Sequence, residues 1–177
     1  MTAFIALLRG INIGGHHKLP MSALTALLEE MGLREVRTHL QSGNVVFRSN
    51  LKDRAALAAK ISTEIAAQHG FAPQVLLLDA RELREALANN PYPDAEATPA
   101  CLSLLFLAEA PRRPDLQALE ALRAGSERFK LVGKVFYLHA PDGFGRSKLA
   151  ANAERLLGVA TTGRNWNTVR KLAEMAG

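Results

Sequence analysis

Residues 3–8 are almost wholly apolar, the pattern of a strand covered on both faces rather than of an edge strand washed by water. Beyond a polar loop, Met21, Leu24, Leu27, Leu28 and Met31 recur on one helical face, with Pro20 at the first helical position and Gly32 as the stop. Residues 36–42 and 45–49 then read as two strands around Gly43-Asn44, a two-residue, glycine-first connection that suits a type II′ hairpin. A second helix follows, capped by Asn50 with Asp53 in its first turn, carrying Leu57, Ile61 and Ile65 on its inward stripe and ending at Gly70. Residues 74–78 read as a fourth strand. The order β-α-β-β-α-β is that of a ferredoxin-like split βαβ unit, with helices on one face of an antiparallel sheet.

Asp79-Ala80-Arg81-Glu82 has the spacing of a capping box and opens a short helix bearing Leu83 and Leu87. The stretch to Pro99 holds three prolines and no apolar period, which marks a linker. The pattern then repeats. Residues 101–107 form an apolar strand; Leu116, Leu119 and Leu122 mark a helix ended by Gly125; residues 128–132 and 135–139 flank Gly133-Lys134, again a glycine-first pair. A helix over 147–157, a short strand-like piece at 159–162 and a last helix from near Asn165 complete the chain, with Trp166 expected buried in the first turn of that helix. The fold class predicted is α+β: a tandem duplication of two ferredoxin-like βαββαβ halves, residues 1–79 and 99–177, joined by a connecting helix and linker at 80–98, with extra helices.

Composition narrows the picture. Apolar residues make up 48% and charged residues 22% of 177 positions, the balance of a folded globular chain. There is no long uninterrupted apolar run and no secretory leader pattern, and the single cysteine, Cys101, is expected to be an inert thiol in an apolar strand, so a reducing, cytoplasmic setting is expected. The net charge is +5, and residues 123–177 carry 10 basic against 4 acidic side chains, so the excess sits in the last third. Such a surface keeps a protein soluble and also permits acidic partners.

Candidate chemistry concentrates in loops. Arg9, Asn12, Gly14, Gly15 and Lys18 form a glycine-rich, basic stretch between the first strand and the first helix; Gln41, Ser42 and Asn44 surround the first hairpin. Arg146, Ser147 and Lys148 lie in Gly-Phe-Gly-Arg-Ser-Lys before a later helix, with Ser147 as its N-cap, and Arg164 and Asn165 precede the last one. Glycines ahead of a helix leave N–H groups and basic side chains where a phosphate or carboxylate docks, although neither loop matches the known phosphate-loop or dinucleotide patterns. Such turns also serve as turns alone. Joining a strand to a helix N-terminus in each half, the loops at 9–18 and 143–148 are expected to occupy equivalent ends and to converge on one electropositive site. Adjacent His16-His17 have no third metal ligand, and no nucleophile elbow, zinc-spaced set or loop carboxylate pair is present, so no metal and no cofactor are expected. An RNA-binding sheet would need aromatics on the central strands, and only Phe47 stands there.

The ordered motifs LLRGINIGGHHKLPM, QSGNVVF, SERF, VFYLHAPDGFGRSKL and RNWNTV resemble the bacterial domain of unknown function 1697 family across essentially the whole chain. Two departures stand out: His16-His17 where the family more often resembles Lys-Asn, and Gly163 interrupting the usual Thr-Arg-Asn-Trp run. The resemblance implies two ferredoxin-like halves and carries no established activity. The residues themselves point to a binding module for a phosphate-bearing or other anionic ligand, a nucleotide or a nucleic-acid backbone. The alternatives are an enzyme acting on a small anionic metabolite and a protein-interaction module with a basic surface; no membrane partner is expected.

Overall fold

The computed structural model describes residues 1–177, and no helix in it is long and apolar enough to cross a membrane. The chain is α+β and divides into two compact units, Met1–Arg84 with Lys171–Gly177, and Glu85–Arg170.

In the first unit the strands β1 (Thr2–Arg9), β2 (Arg34–His39), β3 (Asn44–Ser49) and β4 (Gln74–Asp79) form one antiparallel sheet in the order β2-β3-β1-β4. Helices α1 (Met21–Glu30) and α2 (Arg54–His69) cover one face, where Leu24, Leu27, Leu28, Leu57, Ile61 and Ile65 pack on Phe4, Ala6, Leu8, Val45 and Phe47. On the opposite face Ile5, Leu7 and Val46 are also buried, as the unbroken apolar run of β1 required. Neither face is an open aromatic platform: Phe47 lies in the helix-side core. Two local readings change. Asp53, not Asn50, caps α2, its carboxylate accepting from Ala56 N–H at 2.9 Å, because a cap must sit immediately before the first helical residue. Pro20 is the residue before α1 rather than its first, with ψ 140.

A capping box at the start of α3 (Ala80–Ala88) joins Asp79 and Glu82 reciprocally, at 2.8 and 2.9 Å. The proline segment beyond it is two short 3₁₀ turns, Pro93–Ala97 and Pro99–Cys101. The second unit repeats the first: β5 (Leu102–Leu107), α4 (Leu116–Leu122), β6 (Arg128–Val132), β7 (Val135–His139), α5 (Lys148–Leu157) and β8 (Thr161–Asn165), with sheet order β6-β7-β5-β8. Leu119, Leu149, Ala153 and Leu157 pack on Leu107, Phe136 and Leu138, while Leu102, Leu104 and Tyr137 are buried on the other face. Cys101 lies just before β5 and is half-buried, not within the strand. The strand expected at 159–162 runs on to Asn165, so α6 (Trp166–Ala176) opens on Trp166, which is 4% exposed.

Candidate functional site

The hairpin between β2 and β3 is not the two-residue turn that Gly43-Asn44 predicted. His39 pairs with Asn44, leaving a four-residue loop, 40–43, that opens on Leu40 at φ 62 and closes on Gly43 at φ 88. β2 also carries a one-residue register shift between Arg34 and Arg37, where Glu35 has φ 51. Gly43 is required by space as well as by φ, since a Cβ there would lie 2.7 Å from Ile11 Cδ1 and 2.8 Å from Leu8 Cβ. Its carbonyl accepts from Leu8 N–H at 2.8 Å. Gly133-Lys134 behaves as read: Val132 pairs with Val135, and Gly133 alone of the two turn residues has positive φ, at 59, as a II′ turn demands.

The glycine loop after β1 folds on itself. Ile13 pairs with His16 across Gly14 and Gly15, whose φ values of 57 and 76 make a type I′ turn, so these two glycines are the tip of a miniature hairpin. They lie before α1 in the chain but not in its first turn. Asn12 braces the hairpin's base. Its Nδ2 donates to Leu19 O at 2.9 Å and to Gln41 O at 2.8 Å, its Oδ1 accepts from Leu19 N–H at 2.8 Å, and its own N–H donates to His17 O. Buried Asn44 does similar work, donating to His39 O and Ser42 Oγ at 2.7 and 3.0 Å. Asn12 and Asn44 are thereby committed to holding loops 10–19 and 40–43 together, while Arg9, Lys18, Gln41 and Ser42 face solvent at the same end of the first sheet. Arg9 reaches Gln74 Oε1 at 3.4 Å. The His17 ring stacks on Phe71 at 4.6 Å and donates Nδ1–H to Gly10 O at 3.0 Å. No group of three His, Cys, Asp or Glu side chains is arranged to hold a metal ion.

In the second unit, residues 140–147 leave the end of β7 through a 3₁₀ turn, Phe144–Arg146, and enter α5. Ser147 is the N-cap that the sequence indicated: its Oγ accepts from Ala150 N–H at 3.0 Å. Arg146 and Lys148 stand on either side of it, both exposed and neither paired with an acid. Asn165 ends β8 beside Ser103, at the end of β5 where Leu102 pairs with His139 at the end of β7, so loop 140–147 and the start of α6 share one end of this sheet. Asn165 Oδ1 caps α6 by accepting from Thr168 N–H at 3.0 Å. Arg164 is half-buried. It donates to Gly163 O at 2.8 Å, and burial pulls its guanidinium down to about 10.

The topology corrects one expectation. The loop at 9–20 joins a first strand to a first helix, whereas 140–147 joins a third strand to a second helix, so the two occupy inequivalent places in the repeat. The counterpart of 140–147 is the β3–α2 connection, 50–53. There Lys52-Asp53-Arg54 matches Arg146-Ser147-Lys148: a basic residue, a cap and a basic residue. The correspondence is legible in the sequence once Asp53, rather than Asn50, is read as the cap of α2.

The connecting segment carries a separate cluster. Arg128 donates to both oxygens of Asp94 at 3.2 and 2.7 Å, lies 4.6 Å from the Tyr92 ring centre and donates to His139 Nδ1. Burial first, then the Arg128 charge, holds His139 below its usual value, and the hydrogen bond from Arg128 lowers the Asp94 carboxyl.

Comparison with known proteins agrees with the duplication. Over its full length the structure is similar to that of a conserved bacterial protein from Streptococcus pneumoniae, at 26% identity and a TM-score of 0.73, covering 99% of each chain. No curated protein matches. The family model described as protein of unknown function DUF1697 matches residues 1–137, which hold the Asn12 brace, the Gly43 loop and the turns of both hairpins, and the chain belongs to that family.

Proposed function

We propose that this protein is a binding module for a phosphate-bearing ligand, a nucleotide or a nucleic-acid backbone, held at its basic glycine loops. One observation carries the reading: at the start of α5, two exposed cations without acidic partners flank a neutral cap. Ser147 satisfies the Ala150 N–H and adds no negative charge, so the remaining first-turn N–H groups and the positive end of the helix stay available to an anion. Gly143 at φ 94 and Gly145 leave the approach clear, since a Cβ at either would meet nothing within 4 Å. Within the first unit, the glycine loop exposes Lys18 in the same manner. The half-buried thiol of Cys101, 3.7 Å from Pro141 O, suits a reducing, cytoplasmic setting.

The test is a titration of the whole chain with ADP and with a short single-stranded oligonucleotide, each at several salt concentrations. Arg146→Ala and Lys148→Ala each weaken binding by about tenfold or more while thermal unfolding is unchanged, because each removes a charged hydrogen bond to the anion. A steep fall in oligonucleotide affinity with salt identifies a backbone ligand, and a shallow one a single nucleotide. Unchanged affinity in both variants removes the proposal.

A further inference from the structure

A cavity of about 420 Å³ opens in the first unit, at the counterpart of the α5 entry but with different walls. Its volume falls in the range of small-molecule sites. Phe4 and Leu51 supply apolar surface; Ser49, Lys52, Arg54 and Asp79 supply the polar groups. Leu51, 51% exposed, offers its side chain at the mouth of the cavity.

The charges there are already sorted. Arg54 is held by Asp79 at 2.6 Å and by Glu82 at 2.6 Å, and both carboxylates are themselves fixed by the capping box of α3. The guanidinium also lies 5.9 Å from the Phe4 ring centre, so it serves as a rigid wall rather than a mobile arm. Lys52 is exposed and pairs with no acid, so its ammonium stays outside the Arg54–Asp79–Glu82 cluster, which carries two carboxylates to one guanidinium. Ser49, buried at 5% exposure, accepts from Leu51 N–H at 3.0 Å through Oγ, and its own hydroxyl proton has no acceptor in the protein. A buried donor of this kind is normally satisfied.

We infer that this cavity takes a small monocarboxylate with an apolar tail, the carboxylate between Lys52 Nζ and the Ser49 hydroxyl and the tail along Leu51 and Phe4. A phosphate-type dianion fits less well, because Asp79 lines the same cavity and Asp53 caps the helix beside it. The inference is independent of the phosphate reading, which concerns other residues.

Amide NMR of the full chain tests it, with hexanoate, acetate and 1-hexanol as probes. Hexanoate shifts the resonances of Ser49, Leu51 and Lys52 in a saturable way and binds more tightly than either acetate or hexanol. Lys52→Gln weakens hexanoate by about three- to fivefold, the scale of one exposed charge pair, and leaves hexanol unchanged. Ser49→Ala also weakens hexanoate. The inference is overturned if hexanoate leaves these amides unmoved, if acetate binds equally well, or if the shifts centre on Arg146 and Lys148. Pyrophosphate added to the same sample reports the α5 entry separately, so failure at one place is distinguishable from failure at the other.

Discussion

The two halves share a strand ladder and differ in what joins it. In each, the amide near the end of the first strand donates to the carbonyl of a hairpin residue at 2.8 Å: Leu8 to Gly43 in one, Leu107 to Lys134 in the other. Around that common bond the first half builds a four-residue loop wedged against Ile11, while the second keeps a two-residue turn with open space about Gly133. All four non-glycine residues at positive φ, Asn12, His17, Glu35 and Leu40, lie in the first half. Left-handed backbone is costly for such residues, so local bracing must hold it, and Asn12 and Asn44 provide that bracing. The first half therefore spends its polar loop residues on its own structure, whereas at the α5 entry of the second half the cations remain free.

The largest expected effect breaks the comparison at the hairpins. Gly43→Ala, forcing a Cβ against Ile11 and Leu8 at positive φ, destabilises by about 3 kcal/mol or more in urea unfolding. Gly133→Ala meets nothing and costs about 1 kcal/mol, from backbone strain alone. Equal losses would mean that the wedge is not what sets the two loops apart.

Next comes the brace. Asn12→Ala removes three side-chain hydrogen bonds and costs about 2 kcal/mol, with hydrogen exchange accelerated at Leu19 and across 40–43 and unchanged in β5 to β8. Acceleration spread evenly over both halves would show that Asn12 does not act locally.

A smaller effect belongs to the second half. Because His139 titrates below its ordinary value in the folded chain, the unfolded chain binds the proton first, and stability falls as pH drops below about 6.5. His139→Gln flattens that part of the profile. A profile equally steep in the variant would assign the loss to other groups.

How much of this was legible in the sequence follows from the range of the forces involved. Strand and helix periods are local, so the βαββαβ order, the repeat, the II′ turn at Gly133-Lys134, the Ser147 cap and the buried Trp166 could all be read directly. The loop at 40–43 could not, because Gly43 is fitted against Ile11, 32 positions away, a contact that no local period reports. The bracing by Asn12 is hidden from the sequence for the same reason: its partners at Leu19 and Gln41 are set by how two loops meet. Arg164 carried no sign in the sequence of the burial that lowers its pKa.

The caps provide the sharpest contrast, since Asp53 and Ser147 stand at matching places between basic residues and differ by one negative charge. Ser147→Asp gives the second half the cap of the first. Aspartate caps about as well as serine, but Ser147 is only 6% exposed, so the added carboxylate costs about 1–3 kcal/mol in unfolding, measured beside the affinity. Titrating wild type and this variant with pyrophosphate, followed through the amides of residues 145–149, tests the phosphate reading most directly. The account predicts saturable shifts in the wild type and affinity lower by about tenfold or more in Ser147→Asp, through like-charge repulsion at the helix entry. Equal affinity in the two proteins, or wild-type amides that do not move, would contradict it.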